Sequence, residues 1–151
     1  MESEAARKCL SRLQRLCSKA EYCSRDILRK ALKDLDGDAI AAEKVVASLQ
    51  ADRYVDDTRY AAAFAREKAT IQGWGPVKIS FQLRSKGIPE AAITAALEEI
   101  EPSRANEKLD KLLAAKARVL EGDPQFKLKL IKFALSRGYT YDAVEAALKR
   151  R

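Results

Sequence analysis

A chain of 151 residues with 47% hydrophobic and 34% charged side chains has too many apolar positions for the disordered class and the makeup of an ordered helical protein. No apolar run reaches the roughly 18 residues that a membrane helix needs. The acidic start, Met-Glu-Ser-Glu, has no apolar segment behind it and does not read as a secretory signal, so a cytoplasmic protein is expected.

In chain order, an amphipathic stretch predicts a first helix from about Ala5 to Cys17. A second helix opens at Ser24, whose hydroxyl is the expected N-cap, with Asp26 in the favoured acidic first turn. Ile27, Leu28, Ala31, Leu32 and Leu35 form its apolar face. Asp36-Gly37-Asp38 breaks the chain, and a third helix runs from Asp38 to about Ala51 with Val45, Val46 and Leu49 inward. Asp57 is the expected cap of a fourth helix carrying Tyr60, Ala61, Phe64, Ala65 and Ile71 at helical spacing. Gly73-Trp74-Gly75-Pro76 ends it, and Pro76 starts a helix to Lys86, where it needs no amide donor. Gly87 is then a left-handed C-terminal cap and Pro89 opens the sixth helix. Ser103 is the expected cap of a helix to about Leu120, followed by a break at Glu121-Gly122-Asp123-Pro124 and a helix from Pro124 to Arg137. Gly138 caps that helix and Thr140 starts the last one.

A repeat underlies this order. Ile79, Phe81, Leu83, Gly87, Ile93, Ala95, Ala96 and Leu97 recur as Ile131, Phe133, Leu135, Gly138, Val144, Ala146, Ala147 and Leu148, with one residue of difference before the Gly. A fainter copy, Ile40, Val45, Ala47 and Leu49, precedes them with Ala39 in place of the Gly. Self-similarity at about 50 residues marks small units that bury their apolar faces by stacking. The expected fold is all-α, with three tandem three-helix repeats over 1–56, 57–101 and 102–151 in an elongated, curved arrangement. The second helix of each unit, apolar on several sides, is expected to pack centrally.

Charge breaks the symmetry of the repeat. The first unit holds 11 basic and 10 acidic residues, the second 6 and 6, and the third 12 and 6, so the last carries nearly all of the net +7. Its candidates for partner contact are Lys108, Lys111, Lys127, Lys129, Lys132, Arg137, Lys149 and Arg150, with Lys78 and Arg84 in the second unit. Lys8, Arg12, Arg15 and Lys19 recur at spacings of four, three and four along one face of the first helix. Such stripes fit a polyanion, either nucleic acid or an acidic protein surface.

Catalytic chemistry finds no footing. The chain has no His to act as a base, no nucleophile elbow and no phosphate-cradling Gly-rich loop. Asp34-Leu-Asp36-Gly-Asp38 fails as a calcium loop because Gly37 is fourth and Val45 takes the bidentate Glu position. The neighbouring carboxylates Asp56-Asp57 and Glu98-Glu99 point different ways on helices and do not form an acid/base pair. Cys9, Cys17 and Cys23, an odd number at one end, are expected as reduced thiols, and neither a metal nor a cofactor is expected.

The stretch Leu49-Gln-Ala-Asp-Arg-Tyr54-Val55-Asp56-Asp57-Thr-Arg-Tyr60-Ala61, and after it Gly73-Trp74-Gly75-Pro76-x-Lys78-Ile79-x-x-x-Leu83-x-x-Lys86-Gly87-Ile88, resemble the motifs of the RecX family, bacterial regulators of the RecA recombinase. The resemblance covers nearly the whole chain. It implies a monomeric regulator without an active site that binds the RecA filament on single-stranded DNA, opposes its extension and lowers ATPase, strand-exchange and coprotease activity. It makes Tyr54, Asp56, Asp57, Tyr60, Gly75, Ile79, Leu83 and Gly87 mainly structural: Tyr54, Val55 and Tyr60 would pack one unit on the next. Two other readings stay open: sequence-nonspecific nucleic-acid binding through the basic third unit, and a helical scaffold for an unrelated partner.

Overall fold

The computed structural model describes residues 3–151; Met1 and Glu2 of the acidic start lie outside the described residues. The described residues form nine α-helices and no strand: α1 (Glu4–Lys19), α2 (Ser24–Asp34), α3 (Ala39–Ala51), α4 (Asp57–Thr70), α5 (Pro76–Ser85), α6 (Glu90–Glu98), α7 (Pro102–Val119), α8 (Phe126–Ser136) and α9 (Tyr141–Arg150). Each successive group of three closes around its own core. Leu13, Ile27 and Leu49 are buried in the first, Ile79, Leu83 and Ile93 in the second, and Leu109, Leu113 and Leu130 in the third. A compact monomer of this mass exposes about 7,700 Å², whereas this chain exposes 9390 Å². Dividing the core among small units leaves more of the molecule in water.

Several caps differ from expectation, and the differences reveal how units join. Asp56, not Asp57, caps α4 by accepting from the Arg59 N–H at 3.0 Å. Asp57 turns back to α2, where its carboxylate accepts both the Ser24 N–H and the Ser24 hydroxyl. Ser24 is therefore the first residue of α2, and the next unit supplies its cap. One carboxylate holds its own helix and its neighbour holds the helix before it, so the Asp-Asp pair ties two units together. Asp57→Ala is expected to destabilise the chain by about 1–2 kcal/mol in urea unfolding, while Asp56→Glu, which keeps the charge, costs less than that. Asp38 and Thr140 cap α3 and α9 with their side chains. Ser103 caps nothing: Pro102 already stands in the first turn of α7, where its missing N–H is harmless. Helix α8 starts at Phe126 rather than Pro124, after a turn in which Asp123 accepts from the Gln125 N–H at 2.8 Å and from Lys129 at 2.7 Å.

The repeat also settles in a different register. Leu130 and Ala134 are buried, while Ile131 is only partly buried and Leu135 is 40% exposed. Aligned on the left-handed glycines, Gly87 and Gly138, Leu130 and Ala134 are the counterparts of Ile79 and Leu83. The match between the two Ile-x-Phe-x-Leu strings is thus one residue out of step, because the position four or eight before the Gly sets the buried face of a helix. In the first unit, Gly37 at φ +84° follows α2, whereas Ala39 is the first residue of α3. Ile40 is 71% exposed and is no counterpart of the buried Ile88. Ile71, at the end of α4, is likewise 70% exposed. Tyr54 and Val55 close the first core, while Tyr60 lies in the second, which also takes in Cys23 of the first unit.

The units meet through one recurring joint. The turn after the middle helix of one unit docks on the start of the middle helix of the unit before it. Between the first and second units, Arg25 donates to the Ser85 carbonyl at 2.6 Å and Lys86 reaches the Asp26 carboxylate at 3.0 Å. Burial raises the pKa of Asp26, but the bonds from Lys86 and Cys23 outweigh it and hold the carboxyl below its usual range. Cys23, four residues before Ile27, is fully buried in the second core. Between the second and third units, the Gly75 and Val77 N–H groups donate to the Arg137 and Gly138 carbonyls at 2.7 and 2.9 Å. Gly75, four residues before Ile79, is small for a reason: a Cβ there would lie 2.4 Å from the Gly138 oxygen.

Candidate functional site

The chemistry available on this surface is that of positive charge. The thiols are not activated, because burial outweighs the nearby cations: burial, then a bond to Asp34, pushes Cys9 up to about 11 despite Arg12, and burial also raises Cys17 and Cys23. Among the described residues no cluster of His, Cys, Asp and Glu could hold a metal ion. No helix among them is long and apolar enough to cross a membrane.

Ion pairing divides the candidate cations into two groups. Arg12 is bound to Asp34 at 2.8 Å, Arg84 to Glu90, Lys129 to Asp123 at 2.7 Å and Arg150 to Asp110 at 2.7 Å. Lys8 and Lys149 make looser pairs with Glu4 and Glu145, at 3.9 and 3.7 Å, on highly exposed helix faces. Pairs of this sort contribute little to stability, but they lower the charge a partner meets. Arg15 and Lys19 on α1, Lys108 and Lys111 on α7, and Lys127 and Lys132 on α8 make no ion pair among the described residues. Lys108 and Lys111 line a cleft with Arg104, Thr70 and Glu107 where α7 leaves the second unit. The α1 stripe keeps two uncommitted cations of its four.

Three aromatic rings in the second and third units organise further cations. Lys68 and Lys78 stand over the Trp74 ring at 5.0 and 4.5 Å, and Lys68 also covers Phe64 at 5.4 Å. Lys116 and Arg137 stand over Phe133 at 5.2 and 5.4 Å. Arg137 also donates to the Gln72 carbonyl at 3.2 Å, which carries the third unit's charge across to the second. A cation over an exposed ring gains about 0.5–1 kcal/mol and keeps its remaining donors in water. The rings therefore fix where the charges sit without neutralising them. Lys132 lies beside Phe133, Lys116 and Lys129, giving a shallow basic face on α7 and α8. Lys68, Trp74 and Phe133 lie outside the basic residues that charge and spacing pick out, whereas Lys116 counts among those of the third unit; the signal for Trp74 is its being the sole Trp, with Lys78 four residues on.

This surface rests on a frame shared with known proteins. The family described as RecX, second three-helix domain, matches residues 56–97, from the cap of α4 into α6. Regulatory protein RecX of Bacillus mycoides (strain KBAB4) is 33% identical over 126 residues, which cover 82% of this chain and 45% of that protein. Its counterpart in Bacillus thuringiensis (strain Al Hakam) is 32% identical over the same shares. A crystal structure of regulatory protein RecX superposes with a TM-score of 0.87 at 26% identity, over 97% of this chain and 72% of that one. The chain belongs to the RecX family. RecX from Lactobacillus salivarius has the same fold, with a TM-score of 0.80 at 18% identity over 97% of this chain and 96% of that one. The match spans less than half the length of the curated RecX relatives from Bacillus. Within the RecX frame, the Asp56-Asp57 pair, Gly75 and Gly87 lie at the helix caps and joints described above, and Ile79 and Leu83 lie in the second core.

Proposed function

We propose that this chain is a non-enzymatic modulator of RecA that binds the RecA filament on single-stranded DNA and limits its extension and its ATPase, strand-exchange and coprotease activities. The observation that carries the reading is the RecX fold over 97% of the chain, here bearing a third unit of 12 basic and 6 acidic residues. Stacked units give an extended surface suited to a repetitive partner. Cations held by Trp74 and Phe133, with the unpaired lysines of α7 and α8, supply attraction for phosphates or for acidic protein surface. No catalytic step is assigned to the chain, whose effect is to favour one state of its partner by binding it. RecA's DNA-dependent ATPase, titrated with this protein, tests the reading.

A second reading, binding to bare nucleic acid without RecA, is favoured by the basic and aromatic face around Phe133 and Lys132. If roughly six phosphates of a single strand are neutralised, log affinity should fall against log salt with a slope of about −4. Fluorescence anisotropy of a labelled oligonucleotide across a salt series measures it. A slope near zero removes this reading.

A further inference from the structure

The groove between α8 and α9 repeats, in a changed form, a groove that is filled elsewhere in the molecule. In the second unit the space between α5 and α6, floored by Ile79 and Leu97, is roofed by Ala105 and Tyr139 of the third unit and retains about 170 Å³. Its counterpart in the third unit, floored by Leu130, Val144 and Leu148, is lined among the described residues by α8, α9 and Arg151 alone and holds about 510 Å³. Aligned on Gly87 and Gly138, three positions around it have changed in kind. Phe126 stands where Gly75 stands, Lys127 where Pro76 stands, and Lys149 where Glu98 stands.

Each change narrows what the groove accepts. Gly75 admits the backbone of the following turn, since any Cβ there would meet the Gly138 oxygen at 2.4 Å. Phe126 fills that approach with a larger side chain than Gly75 or Cys23, which stand at the same place in the other two units. What stays open is the apolar trough beside it, walled by Ile131 and by Tyr141, which is 56% exposed. Lys127, Lys149 and Arg151 rim the trough against one carboxylate, Glu145. Lys127 makes no ion pair among the described residues, and Lys149 holds Glu145 only at 3.7 Å in the open. An apolar floor with a cationic rim complements a segment of opposite charge that carries its own apolar side chain.

We infer that the α8–α9 groove is a docking site for an acidic peptide segment of a partner protein, anchored by a bulky aromatic or branched side chain in the trough lined by Ile131, Tyr141 and Leu148. The site deepens the proposed function, since it gives a partner-binding regulator a specific contact beyond general charge.

The test uses a fluorescein-labelled synthetic peptide of Asp and Glu around a central Trp-Leu pair, with the full chain. Two control peptides replace Trp-Leu by Ser-Ser, or Asp and Glu by Asn and Gln. The full peptide should bind at least about tenfold more tightly than either control, and Lys127→Glu with Lys149→Glu should weaken it by about tenfold. Tyr141→Ser, at an exposed position, should weaken it with the helical circular dichroism unchanged. Backbone amide shifts on titration should concentrate in α8 and α9. Equal binding of the Ser-Ser peptide, shifts centred on other helices, or no binding would overturn the site. So would concentration-dependent self-association in sedimentation that Tyr141→Ser abolishes, because the groove would then be filled by a second copy. RecA is absent from this assay, so an inactive groove beside intact ATPase inhibition removes the groove alone, and the reverse outcome removes the proposed function alone.

Discussion

Gly138→Ala should destabilise the chain by about 3 kcal/mol, whereas Gly122→Ala should cost about 1 kcal/mol. Both glycines have left-handed backbone, at φ +95° and +82°, so an L side chain is strained equally at each. Their surroundings differ. A Cβ on Gly122 meets nothing within 4 Å, but one on Gly138 falls 2.3 Å from the Lys78 Cβ and 2.6 Å from the Lys78 backbone nitrogen. Backbone cannot swing aside as a flexible side chain can, so the third unit must lift off α5. Lifting it lengthens the bonds from the Gly75 and Val77 N–H groups to the Arg137 and Gly138 carbonyls, at about 1 kcal/mol each. Urea unfolding of the two variants measures the difference directly. Equal costs would mean that the joint yields without loss, and the recurring unit-to-unit contact would lose its steric basis.

The second large effect concerns charge. Reversing Lys111 and Lys132 together should raise the concentration needed to inhibit RecA by at least about tenfold, while reversing Arg15 and Lys19 should raise it by less than about threefold. None of the four makes an ion pair among the described residues, and all four are exposed, so neither double variant should lose much stability. The comparison is therefore of position alone. Two reversals take the third unit from +6 to +2 and the first from +1 to −3, counted over the same residue ranges. In the third unit Lys132 also adjoins Phe133 and the Lys116 placed over it, and Lys111 lines the cleft with Arg104 and Lys108. A larger effect from the α1 pair would move the contact surface to the other end of the molecule. Arg12 and Lys129 are poor choices for such a test, because reversing either would set like charges against Asp34 or Asp123.

Much of this fold is legible from residue order because it is built from local signals. Proline at a first turn, glycine after a last turn and periodic apolar positions act within a few residues, and they place Pro76, Gly87 and Gly138 as found. The out-of-step third unit was not legible that way. Ile131, Phe133 and Leu135 copy the letters of Ile79, Phe81 and Leu83, yet the distance to the capping glycine decides which side faces the core. The joints were equally hidden, since Asp57 capping α2 across 33 residues leaves the same letters as Asp57 capping its own helix. For the candidate site, net charge by unit was plain from composition. Which lysines are already paired, and which are held over Trp74 and Phe133, depends on helices brought together only by folding.

The proposed regulation of RecA has one direct measurement: the steady-state ATPase of RecA on single-stranded DNA, titrated with this chain from substoichiometric to equimolar ratios, with filament length followed in the same samples. Inhibition that sets in below equimolar ratio, with shorter filaments, is the predicted result. An unchanged rate and unchanged filament length at equimolar protein would contradict it.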